Sequence, residues 1–166
     1  WEENDEKPSD EHTAILEKIR VLAEDSNDPE AMHHYGWMLA MGEHGLSKDS
    51  ETGLKMIEDA ADKGHLPSYA YLGDIYAGKL DILDKKDYRF GRAYQMYKKA
   101  ATEGHDYASF RLAVMSYEGI GAKKDTTASK EYVEDALPLE SPYAQYLGGR
   151  MYYDGRGFNE DKQKAF

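Results

Sequence analysis

The sequence predicts an all-α fold, a right-handed α/α superhelix (solenoid) of about four helix-turn-helix repeats. The first observation is a repeated phrase: residues 52–65 and 92–105 both end in Ala-Ala-x-x-Gly-His, and Ala60 and Ala100 are 40 residues apart. The second is that apolar residues recur at helical spacing in every segment, without the alternation typical of strands. A helical unit repeated at this interval is typical of stacked repeats that bury a continuous core.

The junctions between helices are evenly spaced, which supports the repeat. An alanine near the end of one helix is followed 8 residues later by a small residue early in the next helix. The four pairs are Ala23 and Ala31, Ala60 and Ser68, Ala100 and Ala108, and Ala136 and Ala144. The same spacing at four places predicts that the chain turns in the same way four times.

A second recurring phrase, Leu-Gly-x-x-Tyr-x-x-Gly, lies between these junctions. Its small second residue is Gly36, Gly73, Ala113 or Gly149, which gives steps of 37, 40 and 36 residues. A glycine inside a helix costs about 1 kcal/mol relative to alanine. Its recurrence therefore predicts that a neighbouring helix passes too close for a larger side chain. The later glycine of the phrase is expected to end the helix in the left-handed backbone region.

These signals divide the chain into elements. Residues 1–9 are acidic, contain a proline and lack periodicity, and we expect them to form a flexible arm. Residues 10–166 are expected to form one solenoid domain whose last repeat is incomplete. Helices are predicted near 10–26, 28–42, 49–63, 66–78, 87–103, 106–119, 125–137 and 141–155, with another starting near 160.

Two local departures from the repeat carry predictions of their own. From Gly78 to Ala93 there are 15 residues, whereas the corresponding interval in the other repeats is 10 or 11, so residues 79–90 are expected to form a longer loop. Leu137 and Pro138 stand where the repeat has Ala-x-x-Gly, and Pro138 is expected to end its helix early.

In residues 68–78, 92–104 and 144–157 the chain resembles the SLR (Sel-1-like repeat) family of tetratricopeptide-type α-solenoids. The family phrase is A-x-x-x-L-G-x-x-Y-x-x-G-x-G followed by D-x-x-K-A-x-x-W-x-x-K-A-A-x-x-G. Departures from it include Tyr35 for leucine, Ala113 for glycine and Ser116 for tyrosine. The resemblance extends over about residues 10–166. It implies a scaffold or adaptor that binds other proteins, often in bacterial envelope, secretion or host-contact settings. It thus favours a periplasmic or secreted protein and leaves a cytoplasmic one open.

Composition narrows the classes of partner. The chain has 32 acidic and 21 basic residues and a net charge of -11, so it lacks the cationic surface that nucleic-acid binding requires. A partner protein with a basic patch is favoured instead. The sequence predicts no transmembrane segment, because it contains no run of about 18 apolar residues. It has no cysteine for disulfides or thiolate metal sites. A monomer or a small complex is expected.

The candidate binding residues are chosen from the register of the repeat. If the first helix of each repeat faces the concave side, residues one, two and five before the leucine position, and two after it, point away from the paired helix. Aromatic residues and arginine are enriched there, and these residues dominate interface hot spots. The predicted partner-binding residues are Trp37, His33, His34, Tyr71, Asp74, Tyr107, Phe110, Arg111, Tyr143, Tyr146 and Arg150. The alternative is that several of these tyrosines pack between neighbouring helices.

No constellation of catalytic residues is found. There is no cysteine nucleophile and no G-x-S-x-G elbow, and Glu30 with His33 lacks a third metal ligand, so no enzyme, metal or cofactor is predicted. The sharper hypothesis is an immunity or inhibitor protein that neutralises a secreted bacterial toxin. Two rivals stay open on grounds of the resemblance: an enzyme acting on the cell wall or on β-lactams, and a module that binds peptidoglycan or another glycan.

Overall fold

The regular structure of the chain is helical. The computed structural model describes residues 10–136, 142–158, 160, 161, 163 and 165, and within them there are eight α-helices and no strand. The helices are α1 (Asp10–Glu24), α2 (Pro29–Met41), α3 (Ser50–Asp62), α4 (Leu66–Tyr76), α5 (Phe90–Thr102), α6 (Asp106–Glu118), α7 (Thr126–Ala136) and α8 (Pro142–Asp154). The prediction of an all-α chain built from about four helix-turn-helix units is confirmed.

Some predicted features fall outside the described residues. These are the arm at 1–9, the role of Pro138, and most of the helix expected from 160. In that last segment, the backbone N–H of Ala165 donates to the carbonyl of Asp161 at 3.2 Å.

One helix boundary differs from the prediction. Helix α5 begins at Phe90 rather than near 87, because Lys85–Asp87 forms a separate 3-10 turn. The loop then returns to α4: the backbone N–H of Arg89 donates to the carbonyl of Tyr76 at 2.8 Å. The extra residues at 79–90 therefore form a structured connection that is fastened to the end of α4.

The chain divides into two compact units, at residues 1–68 and 69–166. The core of the first unit is a buried cluster of small and aromatic residues from α1, α2 and α3: Ala23, Ala31, Met32, Tyr35 and Ala60. A core cluster of the second unit joins α6, α7 and α8: Ala113, Tyr117, Val133, Leu147 and Met151.

In the first unit the small residue of the repeat marks a backbone contact. A methyl group on Gly36 would lie 2.8 Å from the carbonyl oxygen of Gly53, and one on Gly53 would overlap the carbonyl oxygen of Gly36. Helices α2 and α3 therefore cross with their backbones touching, as the recurrence of the small residue predicted.

The second unit repeats this arrangement with different residues. The hydroxyl of Ser129 on α7 donates to the carbonyl of Ala113 on α6 at 2.8 Å. A methyl group on Gly149 would lie 2.8 Å from the carbonyl oxygen of Ala165. Gly73 differs from these, because the ring of Tyr97 rather than backbone fills the space beside it.

Glycine also ends helices where the sequence predicts it. Gly42 closes α2 with φ 73°, and its N–H donates to the carbonyl of Met38. Gly119 closes α6 with φ 77°, and its N–H donates to the carbonyl of Met115. This left-handed conformation costs glycine little and other residues more, which explains why glycines recur at the ends of these helices.

Candidate partner-binding surface

The predicted site residues of the first unit separate into outer and inner ones. On α2, His34 is exposed and Trp37 is half-buried. His33 is only 4 % exposed, so the expectation that this predicted partner-binding residue lies on the surface is wrong. The physical reason is a partner from the next repeat: Nδ1 of His33 lies 2.9 Å from Oγ of Ser68, which draws the ring inward.

Ser68 is the centre of a partly buried polar trio with His33 and His65. It is fully buried, and its Oγ also lies 2.8 Å from Nδ1 of His65, whose ring centroid is 4.9 Å from that of His33. Burial, together with the neighbouring His65 and His34, lowers the pKa of His33 to about 4. Burial also lowers the pKa of His65, although Glu30 opposes this. Both rings of the trio are therefore neutral at pH 7, and Ser68 is closed to substrate.

In the second unit the structure brings several predicted residues together. The hydroxyl of Tyr107 on α6 donates to Oδ1 of Asp74 on α4 at 2.7 Å. The hydroxyl of Tyr97 on α5 donates to the same oxygen, also at 2.7 Å. One carboxylate thus joins three helices. Sequence reasoning missed Tyr97, since its place between Ala93 and Ala100 on the core side of α5 predicts burial and not a polar contact.

Two cations border this carboxylate. The guanidinium of Arg111 lies 5.6 Å from the ring centroid of Tyr97, and its buried Nε has no hydrogen-bond partner among the described residues. Burial lowers the pKa of Lys79, and Arg111 lowers it further while Asp74 raises it. Burial and the hydrogen bond to Asp74 raise the pKa of Tyr97. We refer to Asp74, Lys79, Tyr97, Tyr107 and Arg111 as the Asp74 cluster.

The remaining predicted residues differ in how they are held. Tyr71 lies one turn before Asp74 on α4 and is 39 % exposed. Phe110 is partly buried and packs against the core cluster of the second unit. It fits the alternative in which a predicted aromatic residue packs between helices. The side chain of Tyr143 is outside the described part of the structure.

Two predicted residues lie on α8. Tyr146 is 67 % exposed and lines a surface depression of about 440 Å³ together with Arg150. The guanidinium of Arg150 lies 3.3 Å from a carboxylate oxygen of Glu118 and 5.6 Å from the ring centroid of Tyr117. Arg150 therefore already has a carboxylate and a ring as neighbours.

In the described ranges, no group of three His, Asp or Glu side chains is placed to hold a metal ion. No helix within those ranges is long and apolar enough to cross a membrane.

Comparisons with known proteins agree with the repeat. The family model described as Sel1 repeat matches residues 29–65, 67–105, 106–136 and 142–166. A solved structure of a protective antigen present in uropathogenic Escherichia coli strains, displaying an SLR fold, is 27% identical with a TM-score of 0.82 and covers 90% of this chain. A Sel1 repeat protein from Oxalobacter formigenes is 26% identical with a TM-score of 0.76 and covers 93%. The chain spans 31% and 60% of these two proteins.

Proposed function

Because the chain belongs to the Sel1 repeat family, whose solenoids are generally protein–protein interaction scaffolds, we propose that it binds a partner protein through the first helices of its repeats. The observation that carries the proposal is the surface of the second unit formed by Tyr71, Asp74, Tyr107 and Arg111. There, an exposed tyrosine lies one turn from a charged cluster. In the first unit, Trp37 and His34 offer a similar combination of an aromatic ring and a polar group.

The chemistry of this surface suits a protein partner. Tyrosine and arginine provide most of the binding energy at many interfaces, because they bury a large area while losing few rotamers. Tyr71 combines an apolar ring with a hydroxyl, and Arg111 offers hydrogen-bond donors in the Asp74 cluster. Such a surface can bury apolar side chains and satisfy polar ones in the same contact.

A pull-down with matched variants tests the proposal. The triple variant Trp37→Ala/Tyr71→Ala/Phe110→Ala should lose a partner that the original chain captures, and circular dichroism should show that it remains helical. Phe90→Ala is the control, since it removes a 43 % exposed aromatic residue from the start of a second helix. If the partner, once identified and purified, binds the triple variant as tightly as the original chain, this surface is not the site.

Within this class we propose an inhibitory role, as an immunity protein that covers a secreted toxin. The net charge of -11 supports this, because an acidic binder is drawn to a basic patch on its target. A one-to-one complex that silences an enzyme would support the role. A purified partner that keeps full activity in the complex would contradict it.

A second candidate is a glycan-binding module, which the exposed rings of Tyr71 and Tyr146 favour, because tyrosine faces can stack on sugars. Titration with peptidoglycan fragments separates the two candidates. Saturable binding that is lost in Tyr71→Ala or Tyr146→Ala would favour the glycan.

A further inference from the structure

The Asp74 cluster has a charge balance opposite to that of the chain. The whole sequence has 32 acidic and 21 basic residues, whereas the cluster holds Lys79 and Arg111 against the single acid Asp74. Neither cation has a carboxylate within ion-pair distance among the described residues. By contrast, Arg20 lies between Glu17 and Glu24 on α1. The cluster is therefore a local cationic site on an acidic protein.

Asp74 is already engaged by other groups. Its Oδ1 accepts hydrogen bonds from the hydroxyls of Tyr97 and Tyr107, both at 2.7 Å. These bonds fix the carboxylate between three helices and direct it towards tyrosines. One negative charge so held leaves an excess of one positive charge between Lys79 and Arg111.

Arg111 has hydrogen-bonding capacity that the chain does not use. Its Nε is buried and has no partner among the described residues. A buried donor that lacks an acceptor is costly, and the positive charge of the nearby Lys79 raises that cost. The group that best relieves both is a carboxylate, because it can accept two parallel hydrogen bonds from a guanidinium and one from a lysine.

We propose that the Asp74 cluster is a carboxylate-binding site, at which the partner protein docks an acidic peptide segment against Lys79 and Arg111. The inference rests on the proposed function and specifies the chemistry of its contact. The exposed ring of Tyr71, one turn away on α4, would receive an apolar side chain next to the carboxylate. The carboxylate can come from a chain terminus or from an Asp or Glu side chain.

A carboxylate contact is compatible with a basic partner. The net charge of -11 acts on the approach of the whole partner over a Debye length, about 8 Å at physiological ionic strength. The Asp74 cluster acts only at contact, where it distinguishes an acidic group from a neutral one. Long-range attraction and local selection therefore operate at different stages of binding.

Fluorescence anisotropy with three matched peptides tests the proposal. All three share a short Leu-Gly-Ser frame: one ends in a free carboxylate, one has a single internal Glu and an amidated end, and one has neither. We expect one acidic peptide to bind about tenfold or more tightly than the neutral one, as a charge-assisted hydrogen bond predicts. The better of the two identifies the source of the carboxylate. Equal binding of all three, or no binding at millimolar concentration, would overturn the site.

Variants of the cluster give effects of opposite sign. Arg111→Gln and Lys79→Gln should each weaken the binding of the acidic peptide by about tenfold and leave the binding of the neutral peptide unchanged. Asp74→Asn should strengthen the binding of the acidic peptide severalfold, because it removes the carboxylate that competes for Lys79 and Arg111. The asparagine keeps a carbonyl oxygen that can accept the hydrogen bonds of the two tyrosines. Lys55→Gln is the control, since it changes the net charge of the chain equally at an exposed position on α3. If Asp74→Asn instead weakens binding in a folded protein, the cluster has only a structural role.

The same variants separate this inference from the proposed function. If Arg111→Gln loses the peptide but still captures the partner protein, the carboxylate site exists and is not where the partner binds, which overturns the docking inference alone. If the triple variant at Trp37, Tyr71 and Phe110 still captures the partner, the proposed surface fails whatever the peptides do.

Discussion

The hydroxyl of Tyr107 donates a hydrogen bond to Oδ1 of Asp74 at 2.7 Å, although the two residues are 33 positions apart and belong to different repeats. Because Tyr97 donates to the same oxygen, a single carboxylate connects the first helix of one repeat, its second helix and the first helix of the next. Contacts of this kind supplement apolar packing, and they make the stability of neighbouring repeats interdependent.

Tyr107→Phe should therefore destabilise the protein by about 1.5–3 kcal/mol, the range for a hydrogen bond to a charged group. The ring is retained, so the change removes the hydrogen bond and little packing. Urea denaturation followed by circular dichroism measures the effect. Tyr146→Phe removes a hydroxyl from a 67 % exposed ring and should change stability by less than about 0.5 kcal/mol. Equal losses in the two variants would mean that the bond to Asp74 contributes nothing.

Gly53→Ala should lower the free energy of unfolding by about 2–4 kcal/mol, because the new methyl group overlaps the carbonyl of Gly36 and forces α2 and α3 apart. Thermal denaturation should show a clearly lower midpoint. The control is Gly91→Ala, also in a helix, where the nearest atom to the new methyl group is the carbonyl oxygen of Gly121 at 3.5 Å. That change should stabilise the protein by up to about 1 kcal/mol through helix propensity. A neutral result for Gly53→Ala would contradict the backbone contact.

The stability of the chain should fall as the pH falls from about 6.5 towards about 4 because of His33. The unfolded state protonates His33 at its usual pKa, whereas the folded state resists protonation until about pH 4, so the unfolded state binds more protons within this window. The neutral His33 therefore does not reduce the free energy of unfolding above about pH 6.5, the pKa of the unfolded state. Between this pH and about pH 4 the free energy of unfolding falls by an amount on the order of 2 kcal/mol. His65 acts in the same direction.

Urea denaturation at pH 7 and pH 4.5, on the original chain and on His33→Gln, measures this contribution. The carboxylates titrate in both proteins, so the difference between them isolates the histidine. We expect His33→Gln to be less stable at pH 7 and less sensitive to acid. Identical pH dependence in the two proteins would show that His33 is not held neutral by the fold.

Asp28→Ala should lower the free energy of unfolding by about 1 kcal/mol. The carboxylate of Asp28 accepts a hydrogen bond from the N–H of Ala31 at 2.8 Å and so caps the start of α2. Asp25→Ala removes the same charge from the preceding turn and should have a smaller effect. Denaturation of both variants in urea provides the comparison. A larger loss for Asp25→Ala would contradict the cap.

The helices and the close contacts between them could be predicted from sequence, because each restricts the residue type at particular positions. A helix that passes too near its neighbour tolerates only a small residue, and that restriction is visible at Gly36 and Gly149 without knowledge of the fold. A glycine with positive φ, such as Gly42, is visible for the same reason. Spacing then converts these positions into repeats.

The polar contacts could be predicted only in part. Helical register placed Asp74, Tyr107 and Arg111 on one side of their helices, but it contains no information on which atoms meet. The hydroxyl of Tyr97 reaches Asp74 only because Gly73 leaves room for its ring. The burial of His33 could not be predicted, because its partner, Ser68, lies 35 residues away and periodicity does not describe such a pair.

Ser68 has one hydroxyl proton and lies between two imidazole nitrogens, Nδ1 of His33 at 2.9 Å and Nδ1 of His65 at 2.8 Å. It can donate to one ring and must accept from the other, so the two neutral rings are locked into opposite tautomers. The reversed arrangement, in which the other ring donates from Nδ1, keeps both hydrogen bonds. Reaching it also requires one ring to lose its Nε2 proton and the other to gain one, because a shift along the relay alone would leave an imidazolate beside an imidazolium. The fold therefore contains a pair of alternative protonation patterns of the same total charge, which ¹⁵N chemical shifts of the two rings would distinguish.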